Sequence, residues 1–263
     1  MINAETRAQI INLINKEVVP AVGCTEPMAV ALCAAKAAEV LGCRPQKVRA
    51  QLSANILKNA MGVGIPGTGM IGLPIAIALG TLIGKSEYQL EVIKDLTPET
   101  LEEGKAFIKE QRITILRKSN IEEKLYIEVE SSTETSKATV IISCAHTNIV
   151  YVEKDGNVLL DNRTTRSESC EQKDISLDLK LVYDFATTAP VGEIDFILKA
   201  KDYNLKAAED SLKGNYGHCL GKTMNRPLSH GIFGDSIYSH LIAKTGSACD
   251  ARMGGAMLPV MSN

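Results

Sequence analysis

The spacing of apolar residues changes twice along this chain, and the changes limit the folds it can adopt. Up to about residue 110 apolar residues recur with helical spacing, as at Ile10, Ile14 and Val18. Short β-branched segments that are typical of strands follow, and helical spacing then returns. The pattern predicts an α+β fold in which a mainly helical body is interrupted by a small strand-rich domain.

Three ranges follow from this pattern: a first helical segment at 1–110, an inserted strand-rich α/β domain at 111–188, and a second helical segment at 189–263. Helices are predicted near residues 4–18, 26–41, 54–61, 70–83, 98–109, 194–200, 207–212 and 238–244. Strands are predicted at 48–53, 113–116, 125–130, 138–143, 149–153 and 158–160. The turn 154–157, with the sequence KDGN, predicts a hairpin between the last two strands.

Composition argues against two classes of partner. The net charge is −2, and four Phe and no Trp offer neither a basic groove nor stacking platforms, so nucleic acid is not expected as a partner. The most apolar run, 70–83, is shorter than the roughly 20 residues that span a bilayer, so no membrane partner is expected. No signal peptide precedes the first helix, which predicts a cytoplasmic protein.

The cysteines do not form a recognisable ligand or disulfide pattern. Seven of them, at 24, 33, 43, 144, 170, 219 and 249, include no CxxC pair. The odd number predicts reduced thiols, and local spacing assembles no zinc or iron–sulfur ligand set. One of these cysteines and two histidines are potential zinc ligands by type, but they lack zinc-type spacing and are interpreted as structural: Cys219, His218 and His230.

The segment Pro20–Pro27, with the sequence PAVGCTEP, places a cysteine at the start of a predicted helix. Thr25 is a suitable N-cap, and the positive end of the helix dipole favours the thiolate of Cys24 and lowers its pKa. The carboxylate of Glu26 acts in the opposite direction, which would leave a proton acceptor poised near neutral pH. The alternative is a small buried cysteine at a helix cap.

Five glycines lie between residues 62 and 72, where backbone N–H groups can approach and point at an anion. Residues 62–67 match GxGxxG, but a predicted helix precedes them and Pro66 interrupts them, which argues against a dinucleotide fingerprint. The alternative to an anion-binding loop is a tight connection between two helices. Three polar residues on one helical face beside the glycines favour the anion-binding loop: Asn55, Lys58 and Asn59.

Two further polar residues are candidates. His146 follows a predicted strand, where a single histidine is more often structural than catalytic. Arg252 lies among small residues and can bind a carboxylate through two parallel hydrogen bonds. A surface ion pair between Arg252 and Asp250 is the alternative.

In order along the chain, these segments resemble the L-cysteine desulfidase family, which is related to the α chain of iron–sulfur L-serine dehydratases. The matching segments are 20–27 (PAVGCTEP), 55–59 (NILKN), 64–69 (GIPGTG), 146–148 (HTN) and 250–255 (DARMGG). The similarity runs from Cys24 to the last residue. It implies a lyase with a [4Fe-4S] cluster and no pyridoxal phosphate, which degrades L-cysteine to pyruvate, ammonia and sulfide by α,β-elimination.

The resemblance also implies roles for individual residues. Cys24 matches the family cysteine proposed as the base. The substrate-binding positions that it implies are Glu26, Asn55, Lys58, Asn59, Gly67, Thr68, Gly69, His146, Arg252, Ser262 and Asn263. The last two stand where relatives enter a Ser/Gly-rich stretch that helps bind substrate.

Family members continue beyond this point, and the three cysteines that hold their cluster lie in that C-terminal portion. We therefore expect no metal ligands within this chain, cluster ligands beyond Asn263, and a second helical segment that is truncated. The chain is then a fragment or one piece of a split enzyme, which alone lacks the cluster and need not be active.

Two alternative functions remain open. One is a dehydratase for L-serine or a related hydroxy amino acid, which would use the same elimination. The other is a non-catalytic remnant that binds an amino acid. The expected partners are a small amino acid, L-cysteine or L-serine, together with a second copy of the chain in a homodimer or a complementing C-terminal chain.

Overall fold

The computed structural model describes residues 2–18, 20–121, 123–163, 175–226 and 234–261. Helix accounts for 51% and strand for 19%, with a six-stranded mixed sheet, so the predicted α+β fold is confirmed. No helix among the described residues is long and apolar enough to cross a membrane.

The α-helices of the described residues are α1 (Ala4–Glu17), α2 (Thr25–Leu41), α3 (Ala54–Ala60), α4 (Leu73–Ile83), α5 (Pro98–Lys109), α6 (Leu179–Thr188), α7 (Val191–Ile194), α8 (Leu198–Lys213), α9 (Leu220–Met224) and α10 (Ile237–Met253). The strands are β1 (Pro20–Val22), β2 (Lys47–Leu52), β3 (Gly64–Ile65), β4 (Met70–Ile71), β5 (Ile113–Arg117), β6 (Tyr126–Ser132), β7 (Lys137–Ser143), β8 (Ile149–Lys154), β9 (Asn157–Asp161) and β10 (Pro259–Met261). Short 3-10 helices lie at Ser86–Glu91 and Asp195–Ile197.

Helix α2 is the centre of the core. It packs against α4 on one side and against β6 and β7 on the other, so most of its residues are buried. A helix that is apolar on nearly all faces is stable only when it is enclosed in this way. It ends at Gly42, whose left-handed φ of 79° closes the last turn.

The six-stranded sheet has the strand order β5-β2-β6-β7-β8-β9. Strand β2 pairs with β5 in parallel and with β6 in antiparallel orientation, which makes the sheet mixed. The predicted hairpin is confirmed: Lys154 pairs with Asn157, and the two turn residues Asp155 and Gly156 both have positive φ. Because β2 comes from range 1–110, the sheet joins the first two predicted ranges; the domain division itself stays a prediction.

Some predicted elements differ from the observed ones. The helix predicted at 70–83 begins only at Leu73, because Gly72 has a φ of 86° that ends strand β4 just before it. Helix α6 lies where neither a helix nor a strand was predicted, and Asp178 caps it by accepting a hydrogen bond from the Leu181 N–H at 2.7 Å. The helix predicted at 194–200 covers the 3-10 helix Asp195–Ile197 and the start of α8, and α8 continues through the helix predicted at 207–212.

Candidate functional site

Cys24 is the N-cap of α2, a position that the sequence had assigned to Thr25. Its thiol is only 9% exposed and donates a hydrogen bond to the thioether sulfur of Met253 at 3.6 Å. The side chain makes no capping bond to the helix. The sulfur therefore contacts the end of α10.

Burial raises the pKa of the Cys24 thiol above its ordinary value. The positive charge of Arg252 acts against this rise, and the carboxylate of Glu26 adds to it. The predicted lowering of this pKa by the helix dipole is thus wrong, because desolvation of the thiolate outweighs the charges around it. The interaction with Arg252 nevertheless places a guanidinium beside the thiol.

The glycine segment packs against the end of α10 and against the segment before α2. A Cβ on Gly64 would lie 2.7 Å from the backbone carbon of Gly254, and a Cβ on Gly23 would lie 2.7 Å from the ring of Pro66. The N–H of Gly67 donates to the carbonyl of Gly255 at 3.0 Å. Three segments that are distant in sequence, 20–27, 64–69 and 250–255, therefore meet at one junction.

The glycine loop is braced from within. Thr68 is 6% exposed, and its hydroxyl donates to the carbonyl of Ile65 at 2.7 Å and accepts from the N–H of Met70 at 2.9 Å. A hydroxyl used in this way supports the loop and is not directed at a ligand, which differs from its predicted role. Gly67 and Gly69 are exposed, with φ of 71° and 64°.

Helix α3 contributes one contact to this junction. The side-chain amide of Asn59 donates to a carboxylate oxygen of Glu26 at 3.1 Å, and the Thr25 hydroxyl donates to the other oxygen at 3.2 Å. Asn55 and Lys58 are exposed on the same short helix. The structure thus joins Asn59 to the start of α2.

A cavity of about 430 Å³ lies at the start of α2, where Thr25 lines it; Cys24 itself is not among its described lining residues. Its described lining residues are Lys16, Ala21, Thr25, Leu90, Leu125, Cys144, Ala145, His146, Thr147, Arg252 and Val260. They include two cationic side chains and an imidazole but no carboxylate. Such a lining suits a small anion such as a carboxylate.

The cavity brings together His146 and Arg252, which are 106 positions apart in the sequence and come from the turn after β7 and from α10. Both were predicted site residues. None of the other predicted substrate-binding positions is among the described lining residues. Ser262 and Asn263 lie outside the described residues.

The strand pair β1–β10 forms a section of the same wall. Ala21 is paired with Val260, and both residues line the cavity. On its other side β10 is held by Asn204 of α8, whose amide accepts from the Met261 N–H at 3.0 Å and donates to the Met261 carbonyl at 2.9 Å. The pair fixes the segment that leads into Cys24 against the segment that follows Arg252.

Asp250 has a structural role that the sequence did not reveal. Asp250 is only 6% exposed. Its carboxylate accepts hydrogen bonds from the backbone N–H groups of His218 at 3.2 Å and Gly221 at 2.9 Å. A surface ion pair between Asp250 and Arg252 is therefore excluded as the explanation for this motif. The carboxylate instead ties α9 to α10.

The free thiols of the described residues belong to Cys24, Cys33, Cys43, Cys219 and Cys249. Cys144 is disulfide-bonded, so the prediction of reduced thiols is wrong for this residue. Cys144 is exposed in a turn, where its sulfur is accessible to another thiol. Cys170 and His230 lie outside the described residues. Among those described, no group of three or more His, Cys, Asp or Glu side chains is placed to hold a metal ion.

Sequence reasoning missed several contributors to the site, among them Lys16, Leu90 and Met253. From the sequence alone, Lys16 is interpreted as an exposed residue at the end of an amphipathic helix, and Leu90 as an ordinary apolar residue. Met253 follows Arg252 directly, so its place in the DARMGG segment was the only signal for it.

Fold and site together define an α+β protein with a buried thiol beside a cation-lined cavity. The chain is 59% identical over 263 residues to the UPF0597 protein of Bacteroides thetaiotaomicron, a match that covers all of this chain and 61% of that protein. It is 49% identical over 267 residues to the UPF0597 protein of Porphyromonas gingivalis, covering 99% of this chain and 62% of that protein.

A third relative is the UPF0597 protein of Clostridium perfringens, which is 40% identical over 256 residues, covering 97% of this chain and 60% of that protein. The chain thus spans about three fifths of the length of the curated relatives that it matches. No family model matches the chain, and no solved structure matches it.

Proposed function

We propose that this chain carries the amino-acid site of a lyase that degrades L-cysteine to pyruvate, ammonia and sulfide without pyridoxal phosphate. The observation that supports the proposal is the placement of Cys24 beside Arg252, at a cavity that Arg252 lines together with His146. A guanidinium can bind the substrate carboxylate through two hydrogen bonds, and a thiolate beside it can accept the α-proton.

The resemblance to L-cysteine desulfidases implies a [4Fe-4S] cluster, which when bound would act as a Lewis acid toward the leaving sulfur. The described residues do not fit that group by themselves, because they bring together no set of three potential ligands. In the proposed enzyme the cluster would take its ligands from other regions of a longer protein. Substrate binding and proton removal, by contrast, need only side chains of this chain.

Arg252 binds the α-carboxylate of L-cysteine, and His146 borders the same cavity. The Cys24 thiolate takes the α-proton; the electron pair of the broken C–H bond forms the C=C bond, and the pair of the C–S bond leaves with sulfur. The aminoacrylate product isomerises to its imine, which water hydrolyses to pyruvate and ammonia. The balance is one L-cysteine and one water for one pyruvate, one ammonia and one sulfide.

The raised pKa of Cys24 sets a condition on this chemistry. Only a small fraction of the thiol is ionised near pH 7, because burial disfavours the thiolate. A thiol with a raised pKa is a stronger base once it is ionised, and Arg252 provides the charge that stabilises it. We therefore expect turnover to rise with pH above neutrality.

A second candidate is a module that binds an amino acid without turning it over. The burial that raises the pKa of Cys24 favours this candidate, since a protonated thiol does not remove an α-proton. A dehydratase acting on L-serine is the alternative within the lyase class, because the same elimination would expel hydroxide instead of sulfide.

The experiment combines binding and turnover. Calorimetric titration of this chain with L-cysteine should show binding that Arg252→Gln weakens, with Cys43→Ala as a control because Cys43 is exposed and remote from the cavity lining. In anaerobic assays the longer Bacteroides thetaiotaomicron relative should release equal amounts of sulfide and pyruvate from L-cysteine.

The outcomes separate the candidates. Pyruvate from L-serine without sulfide from L-cysteine would establish the dehydratase in place of the desulfidase. Binding without product from either amino acid would favour the non-catalytic module. If L-cysteine does not bind to this chain at all, the proposed site is wrong.

A further inference from the structure

The segment Ser86–Glu91 borders a second cavity, of about 560 Å³, beside the first. Its described lining residues are Lys16, Pro20, Tyr88, Gln89, Leu90, Glu91, Thr147 and Tyr203. Lys16, Leu90 and Thr147 line both cavities, so the two spaces share a wall. A ligand at that wall can reach both sets of lining groups.

Gln89 has an unusual backbone conformation at this wall, with φ of 52° and ψ of −124°. A residue with a Cβ rarely adopts this region, which favours glycine. The turn is held at its base, where the Lys85 N–H donates to the Val92 carbonyl at 3.4 Å, and by Leu90, which is buried in the main core. Strain that the surrounding structure imposes in this way is often found at ligand-binding sites.

Two polar side chains of this turn lack a partner within the described portion of the chain. The side-chain amide of Gln89 makes no hydrogen bond there, and the carboxylate of Glu91 makes neither a hydrogen bond nor an ion pair. The ring of Tyr88, by contrast, is already covered by the ammonium group of Lys94 at 3.5 Å from its centroid. Glu91 is the one carboxylate among the described lining residues of the second cavity.

We propose that Glu91 and Gln89 form the subsite for the α-ammonium group of the ligand. The inference rests on the proposed function, in which the carboxylate binds in the first cavity beside Arg252. An α-amino acid carries both charges on one carbon, so a ligand at the shared wall can direct its carboxylate to the first cavity and its ammonium to Glu91. The site then selects α-amino acids over carboxylic acids that lack the amino group.

This subsite differs from the one that the sequence predicted, in which Asn55, Lys58 and Asn59 hold the zwitterion. Two of these residues are exposed on α3, and the amide of Asn59 already donates to Glu26. None of the three is among the described lining residues of either cavity. The first cavity has Lys16 and Arg252 and no carboxylate among its described lining residues, and the second adds Glu91 beside the shared Lys16. This charge pattern matches the zwitterion better.

The test compares L-cysteine with 3-mercaptopropionate, which keeps the thiol and carboxylate but lacks the amino group. Calorimetric titration of the wild-type chain should show at least about tenfold tighter binding of L-cysteine, the size of one charge-assisted hydrogen bond. Glu91→Gln should reduce that preference to near unity while leaving the affinity for 3-mercaptopropionate within about twofold.

Gln89→Gly separates ligand binding from folding. Glycine adopts the backbone conformation of Gln89 without cost, so this variant should keep or raise the midpoint of thermal unfolding while it weakens L-cysteine binding. Glu87→Gln is the matched control, because Glu87 is exposed on the same segment but is not among the described residues that line either cavity.

Two results would overturn the inference in distinguishable ways. If both ligands bind and Glu91→Gln leaves the preference for L-cysteine unchanged, the ammonium subsite is wrong and the carboxylate site of the proposed function survives. If the wild-type chain binds neither ligand, the proposed function fails and the subsite fails with it.

Discussion

The thiol of Cys24 donates a hydrogen bond to the thioether of Met253 at 3.6 Å, across 229 positions of sequence. Cys24 is at the N-cap position of α2, and Met253 is the last residue of α10. The positive end of one helix dipole therefore meets the negative end of another, which is a favourable arrangement. The contact also places Arg252, the neighbour of Met253, within interaction range of the thiol.

The first prediction concerns the ionisation of Cys24. Because burial raises its pKa, its alkylation by iodoacetamide should be slow at pH 7–8 and should reach half of its maximal rate at a higher pH than that of an exposed thiol. Peptide-level mass spectrometry over a pH series measures this, and exposed Cys43 in the same sample provides the comparison.

Two charge-neutralising variants should move that pH profile in opposite directions. Glu26→Gln removes a charge that raises the pKa of Cys24, so its profile should shift to lower pH. Arg252→Gln removes a charge that lowers the pKa, so its profile should shift to higher pH. Shifts in the same direction would show that altered burial, and not charge, controls the thiol.

The second prediction concerns the junction between the glycine loop and α10. Gly64→Ala should destabilise the protein by about 1–3 kcal/mol, because the added methyl would lie 2.7 Å from the backbone of Gly254, which cannot shift freely. The matched control is Gly62→Ala, whose Cβ has no neighbour within 4 Å and should change stability by less than about 0.5 kcal/mol.

Urea unfolding followed by circular dichroism measures both variants. Because the junction also carries Arg252, Gly64→Ala should weaken L-cysteine binding as well. Equal stability of the two alanine variants would mean that the loop and α10 do not pack against each other in solution.

Much of the fold could be predicted from sequence because the signals are local. Helix α5 and strand β5 begin at Pro98 and Ile113, where the pattern placed them. The Asp155-Gly156 turn was predictable because both positions need positive φ. Helix α6 was missed although Leu181, Val182 and Phe185 recur there with helical spacing, because residues up to 188 were assigned to the strand-rich range.

The site was only partly predictable because it depends on contacts between distant segments. Cys24, His146 and Arg252 were singled out, yet local reasoning from the helix dipole gave the wrong direction for the pKa of Cys24. Desolvation depends on how α10 covers the thiol, and no feature near residue 24 encodes that. Glu91 was not predicted, because its place in the second cavity depends on a turn with a backbone conformation that the sequence does not suggest.

The third prediction concerns the crossing of α2 and α4. A Cβ on Gly80 would clash with the carbonyl oxygen of Ala31, so Gly80→Ala should destabilise the protein by about 1–3 kcal/mol. This loss should occur although alanine favours helix by roughly 1 kcal/mol over glycine.

Gly104→Ala in α5 is the control for this crossing. Its Cβ would meet mainly the flexible end of the Leu79 side chain at 3.0 Å, which can move aside, so the change should be small. A thermal midpoint for Gly80→Ala at or above the wild-type value would contradict the close approach of the two helices.

The last prediction concerns the buried carboxylate of Asp250. Asp250→Ala leaves the backbone N–H groups of His218 and Gly221 without their acceptor. The Gly221 N–H is buried, so the loss of its partner should cost roughly 1–3 kcal/mol, whereas His218 is exposed and water can replace the carboxylate there. Asp250→Asn keeps one acceptor oxygen and should lose less. Asp235→Ala should have little effect, because Asp235 is an exposed carboxylate that pairs with exposed His240 in the described part of the chain. Hydrogen exchange at His218 and Gly221 should accelerate in Asp250→Ala; if exchange there stays at the wild-type rate, Asp250 does not tie α9 to α10.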